Sequence, residues 1–166
     1  VVGGGPAGLE AARVLGERGH DVILFEAAPR LGGQVLLGAE ASWRSDLSGV
    51  IDWRVNELER LGVDVRTNRY VEPDDVLTED AELVIIATGG LPDIDWLDGV
   101  EHVTSAWDFL TGTGPVGGRV LVYDGTGRHP ALQCAERASA QGAETQLICI
   151  DGEVAAELTY AERAIW

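Results

Sequence analysis

The chain has 166 residues, enough for a sizeable core in one domain or one and a half, and carries a formal charge of -16 with a pI near 4.3. That balance disfavours nucleic acid or an anionic membrane surface as a partner, because phosphate groups are held by clustered cations and the twelve basic residues, all arginine, face 28 acids. No apolar run has the length of a membrane span and no signal peptide is visible, so a cytoplasmic location is the default; the lack of Met and a first residue already inside a strand read as a segment truncated at both ends.

Val1-Val2 leads into Gly3-x-Gly5-x-x-Gly8, then a helix, then a strand that ends at Glu26. This order is a nucleotide-binding fingerprint rather than a bare glycine pattern, since the glycines leave a strand, open a helix and meet an acid after the next strand. Gly3 serves the tight turn, Gly5 lets a pyrophosphate approach bare backbone, and Gly8 lets the helix lie close to the strand. Pro6 and Ala7 begin the helix, whose free N–H groups and positive dipole end favour phosphate, while Glu26 can accept hydrogen bonds from ribose hydroxyls. The alternative is a βαβ turn with incidental glycines.

The first helix is expected over about Ala7 to Arg18, with Gly8, Ala11, Ala12 and Leu15 facing the sheet and Gly19 as its stop. Val22 to Phe25 is an apolar run suited to a parallel strand covered on both faces. A turn, Ala27-Ala28-Pro29-Arg30-Leu31-Gly32-Gly33-Gln34, follows. Trp43 is expected to pack under a loop sooner than to cover a ring system. Helical spacing from Asp46 to Leu61 predicts a second helix stopped by Gly62, and Val63 to Val71 reads as a half-exposed strand. Glu72 to Glu82 is expected to be a solvated acidic turn, Leu83 to Ala87 a strand leading into Thr88-Gly89, and Ser105 to Leu110 a short helix.

Gly112 to Gly118 punctuates the chain and suggests domains at 1–112 and 119–166 joined by a linker at 113–118. Beyond it the opening pattern returns in altered form: strand Val120 to Tyr123, Gly125-x-Gly127, a helix to Gln141, strand Leu147 to Ile150, then Asp151. Ala131 falls where Gly8 lies when the helix-ending Gly19 and Gly142 are aligned, but Arg128, His129 and Pro130 stand where the first loop is small. A working site and a non-binding relic are both open. If the site works, Asp151 at the strand end favours NADH over NADPH, with Arg128 beside the pyrophosphate, and Pro130 weakens it by removing an anion-binding N–H. Cys134 and Cys149 have neither metal-ligand nor CxxC spacing, so no metal site or redox disulfide is expected and both read as buried thiols.

GxGxxG, a strand-terminal Glu, LGGQ and Ala87-Thr88-Gly89 in this order resemble the FAD-binding half of flavoproteins with two dinucleotide-binding domains. The implied fold is α/β and Rossmann-like, a parallel sheet with flanking helices. The run from Val1 to Leu15, LGGQ, Asp74-Asp75-Val76-Leu77, ATGG and the altered second loop resemble the C-terminal part of NADH:flavin oxidoreductases related to trimethylamine dehydrogenase and 2,4-dienoyl-CoA reductase. Tyr123 to Pro130 further resembles the members that demethylate N-methylated amino acids. The resemblance implies FAD, or ADP as the alternative, near Arg30, Gly33, Gln34, Thr88 and Gly89, with the main chain near Val71 meeting adenine. It implies electron transfer to redox centres elsewhere in the chain, an N-terminal barrel carrying FMN with a 4Fe–4S cluster, and leaves a homo-oligomer open. No catalytic residue is named in this segment.

Overall fold

The computed structural model describes residues 1–112 and 117–166, so most of the expected 113–118 linker lies outside the described residues. The chain separates into two compact units, Val1–Ala39 with Ser45–Gly90, and Glu40–Arg44 with Leu91–Trp166.

Unit 1 contains α1 (Pro6–Glu17), β1 (Ile23–Phe25), α2 (Gln34–Gly38), a 3-10 turn (Ser45–Leu47), α3 (Ser48–Arg60), β2 (Asp64–Arg66) and α4 (Pro73–Leu77). Pro6 suits the first helical position, where its fixed φ is helical and its missing N–H would have no intrahelical partner. The helix ends as the sequence signals: Gly19 turns left-handed at φ 84 and donates to the Gly16 carbonyl, while His20 donates to the Leu15 carbonyl. The end of α3 repeats this device at Gly62 and Val63.

β1 and β2 run parallel with Leu24 opposite Val65, and Val2 bridges in parallel to Phe25 on one side and Ile86 on the other. The lateral order is therefore Ile86, Val2, β1, β2. Val2 sits centrally because its neighbours share its backbone groups: Gly3 N–H donates to the Phe25 carbonyl at 2.8 Å and Ala87 N–H to the Val2 carbonyl at 2.7 Å. Leu9 and Ala12 of α1 meet Leu24, Leu31, Ile51 and Leu58 in one buried cluster. Each fully buried Leu or Ile there contributes about 1.5–3 kcal/mol relative to exposure.

Three expectations need correction in this unit. The strand at Val63 to Val71 stops at Arg66, because Asn68 turns left-handed at φ 54 and the next amides tie off the end of β1, Asn68 N–H to the Ala28 carbonyl and Arg69 N–H to the Glu26 carbonyl. Leu83 to Ala87 contributes a single bridge at Ile86 rather than a ladder. The acidic turn contains α4, started by Pro73 and by reciprocal capping between Glu72 and Asp75.

Unit 2 contains α5 (Ala106–Leu110), β3 (Arg119–Asp124), α6 (His129–Ala140), β4 (Glu144–Cys149) and α7 (Tyr160–Arg163). β3 and β4 are parallel with Val122 opposite Leu147, and α6 packs on both. This is a second βαβ unit. Gly142 and Ala143 end α6 as Gly19 and His20 end α1. The Arg137 guanidinium donates to the Leu110 carbonyl at 2.9 Å and pairs with Glu40 at 3.2 Å, which holds segment 40–44 against the unit together with hydrogen bonds from Ser42 to Glu136. Trp43 packs against the Trp166 ring at 5.4 Å and the His129 ring at 6.0 Å, in keeping with a packing role. No helix among the described residues is long and apolar enough to cross a membrane.

Candidate nucleotide-binding site

The first glycine loop is as tight as backbone allows. A Cβ on Gly3, which sits at φ 107, would strike the Ala87 carbonyl, and one on Gly8 would strike the Gly3 carbonyl. Strand, helix and the Ala87–Thr88 segment therefore meet through main chain. In front of Gly5 there is open space instead, with nothing within 4 Å of where its Cβ would stand. Pro6 and Ala7 are exposed beside it, at the end of α1 whose first N–H groups have no intrahelical acceptor. An anion approaching this end meets donors and no side chain.

The LGGQ turn is fastened to this loop: Gly32 N–H donates to the Gly4 carbonyl at 2.8 Å, and a Cβ on Gly33 would come within 3.1 Å of Gly5 Cα. Gln34 then starts α2, and its amide nitrogen lies 3.8 Å from where a Cβ on Gly89 would stand. Thr88 and Gly89 are exposed just past Ala87. Three motifs separated in sequence thus converge at one end of the sheet, beyond the carboxyl ends of the strands, where open α/β sheets bind ligands.

Glu26 is held in place by backbone. Its Oε2 accepts the Gly4 N–H at 2.6 Å and its Oε1 the Ala28 N–H at 2.7 Å. A carboxylate offers about four acceptor positions, so roughly two stay available for hydroxyl groups. Sequence reasoning missed Gly4, treating it as the variable residue of the fingerprint. It is buried; a Cβ there would meet the Leu31 side chain and lie 3.0 Å from Glu26 Oε2. The signal was present as an unbroken run of three glycines. Arg30 is exposed and forms no ion pair among the described residues, and Val71 is half-buried between β2 and α4.

The second loop is built differently. Gly125 is exposed, Gly127 is buried, and Asp151 is exposed two residues beyond the end of β4. Asp124, at the end of β3, is only 1% exposed. Of the two thiols, Cys134 is buried on α6 and its pKa is pushed up to about 11 by that burial, whereas Cys149 is only half-buried, unlike the expectation. The His129 imidazole is held below its usual range, first by burial and then by the charge of Arg44. Among the described residues no group of three His, Cys, Asp or Glu side chains is placed to hold a metal ion.

A hollow of about 780 Å³ in unit 1 lies away from the glycine loop, lined by apolar residues such as Leu15, Phe25 and Val63 and by polar ones such as His20, Asp64 and Glu79. The glycine loop, an open trough, has the free N–H groups at the start of α1.

Comparison with known proteins bears on this geometry. The family model described as an NAD(P)-binding Rossmann-like domain matches residues 1–52, which contain the loop, Glu26 and the LGGQ turn. The chain is 57% identical over 157 residues to the multifunctional alkene reductase/demethylase OYE of Caballeronia cordobensis, covering 95% of this chain and 23% of that protein. It is 48% identical over 159 residues to a probable N-methylproline demethylase of Rhizobium meliloti (strain 1021), covering 95% of this chain and 24% of that protein. The chain belongs to the NADH:flavin oxidoreductase family of trimethylamine dehydrogenase and 2,4-dienoyl-CoA reductase. Among solved members of similar fold, 2-naphthoyl-CoA reductase aligns with a TM-score of 0.90 at 30% identity over 98% of this chain and 25% of its own. Histamine dehydrogenase from Rhizobium sp. 4-9 aligns at 0.81 and 30%, over 93% and 26%. The chain thus spans about a quarter of the length of these family members, and it is their α/β nucleotide-binding region.

Proposed function

We propose that unit 1 binds FAD through the ADP half of that cofactor and serves a flavin-dependent oxidoreductase by passing electrons to redox centres elsewhere in the parent chain. The observation that carries this reading is the convergence of Gly5, Gly33, Gln34 and Gly89 at one open end of the sheet. The residues fit the group. Gly5 leaves room for a pyrophosphate, the start of α1 supplies donors, and Glu26 has acceptor capacity for ribose hydroxyls after binding Gly4 and Ala28. Arg30 offers an exposed cation toward the phosphates, the Val71 main chain would meet adenine, and Thr88 and Gly89 would approach the flavin through backbone. When bound, the isoalloxazine supplies the hydride and electron chemistry; the chain binds and orients it. On this reading the nucleotide-binding part is unit 1, Val1–Ala39 with Ser45–Gly90, and the boundary expected after residue 112 falls inside the second unit, whose main segment begins at Leu91.

For the parent enzyme we favour oxidative demethylation of N-methylated amino acids, with FMN and a 4Fe–4S cluster in an N-terminal barrel. The support is the naming of relatives at 57% and 48% identity as demethylases. Acid extraction of the intact protein followed by chromatography tests the cofactor. FAD is expected beside FMN; visible colour alone is insufficient because FMN is also yellow. ADP without FAD would replace this reading with a structural nucleotide.

A further inference from the structure

The geometry points to Asp124 as a specificity-determining residue that closes the second glycine loop to dinucleotide phosphates and confines nucleotide binding by this chain to unit 1. The sequence left two alternatives for Gly125, Gly127 and Asp151, an NADH site and a non-binding relic. Asp124 decides between them. Its Oδ1 accepts the Gly127 N–H at 2.8 Å and the Thr126 N–H at 3.2 Å, and its Oδ2 accepts the Ala155 N–H at 3.2 Å. Loop amides are the donors a pyrophosphate requires. Here the chain's own carboxylate has taken two of them, and its buried negative charge repels a second anion.

The space is filled as well as the donors. A Cβ on Gly127 would lie 3.1 Å from both the backbone nitrogen and Cγ of Glu157 and 3.4 Å from the Ala156 nitrogen, and the Gly127 carbonyl accepts the Glu157 N–H at 3.0 Å. At Gly5 the corresponding space is empty. The covering segment is held there against its own backbone preference, since Ala155, buried at 2%, sits in the left-handed region at φ 56. A non-glycine residue keeps such a conformation only where its surroundings over-determine it, and the Asp124 carboxylate is one of those surroundings.

The ribose end is also displaced. In unit 1, Glu26 directly follows Phe25, the strand partner of Val2, which precedes Gly3. In unit 2, Asp124 precedes Gly125 and its strand partner is Cys149, so the matching position is Ile150 rather than Asp151. Pro130 in the first turn of α6 matches Pro6 in the first turn of α1, so the loss of that donor is common to both loops and the difference lies in Asp124.

Hydrogen exchange read by mass spectrometry on the intact flavoprotein tests this. Saturating NADH or NADPH is expected to leave peptides spanning 124–128 and 153–158 unchanged; added protection in those peptides with either nucleotide would overturn the proposal. Asp124→Ala is expected to speed exchange in both peptides together by about threefold to tenfold, the loss of roughly one net hydrogen bond at each. Unchanged exchange in either would count against the carboxylate bridge. Asp124→Asn retains one acceptor oxygen for the loop and serves if the alanine variant does not fold; faster exchange at 153–158 is expected, and none there would also overturn the bridge. These readouts are independent of the FAD reading, which is decided by extraction from the same protein.

Discussion

Gln34 and Gly89 belong to separate motifs, yet the Gln34 amide nitrogen stands 3.8 Å from the point a Cβ on Gly89 would occupy. Gly89 is also left-handed, at φ 71. Gly89→Ala introduces a methyl beside Gln34 and a conformation that costs an alanine about 1–2 kcal/mol. On the proposed FAD reading, the expected result is less FAD recovered per chain after dialysis than from the parent protein, because the added methyl and the strained segment disturb the approach beside Gln34. Gly90→Ala, next in sequence, has open space and no positive φ and is expected to retain full occupancy.

On the proposed reading, Glu26 sets which ribose is accepted. Its carboxylate is anchored by Gly4 and Ala28, so a 2′-phosphate would meet a fixed negative charge. Calorimetry on protein stripped of nucleotide is expected to show ADP binding at least about tenfold more tightly than its 2′-phosphorylated counterpart, equivalent to ~1.4 kcal/mol. Equal affinities would remove Glu26 from the ribose. Glu26→Arg is expected to weaken ADP binding, because it loses the acceptor and frees the Gly4 amide.

Much of this architecture is legible in the sequence, for local reasons. Gly3, Gly5 and Gly8 announce the first loop, and Gly19, Gly62 and Gly142 each end a helix by turning left-handed, a requirement read from one residue at a time. Asp124 could not be read that way. Its role depends on Ala155, which lies beyond a helix and a strand, and no periodicity marks the segment 153–158. The α4 helix was missed for another reason: acidity suggested a solvated turn, while Pro73 and the Glu72 and Asp75 cap were the local signals that prevailed.

Cys134 and Cys149 should separate chemically. Burial raises the Cys134 thiol to about 11, so little thiolate forms there at pH 8, and Cys149 is the more accessible. Mass spectrometry after brief iodoacetamide treatment is expected to find the label on Cys149. The ordinary thiol value is 9.0, so stability from a neutral Cys134 is complete below about pH 9 and is lost as pH rises toward 11. Cys134→Ala should flatten that part of the alkaline stability profile; an unchanged profile would argue against it.

His129 gives the opposite slope on the acid side. Its folded pKa lies below the ordinary value of 6.5, so its contribution to stability is present above that pH and is lost as pH falls through the lowered value. Its Nδ1 accepts the Trp166 indole N–H at 3.3 Å, a bond that protonation of Nδ1 abolishes. Tryptophan fluorescence of the native protein is therefore expected to change on the acid side of the ordinary histidine value of 6.5, with the change absent in His129→Gln. An identical change in the variant would assign it elsewhere.

The tie between Asp124, Gly127 and Ala155 also bears on how the second loop could change over generations. Replacing Asp124 alone leaves Gly127 beneath Glu157 and strands buried amides without an acceptor. Shifting segment 155–157 alone leaves the carboxylate over the loop. Each of these steps alone costs stability and restores no phosphate site, so opening the loop calls for a change at Asp124 and a movement of 155–157 together.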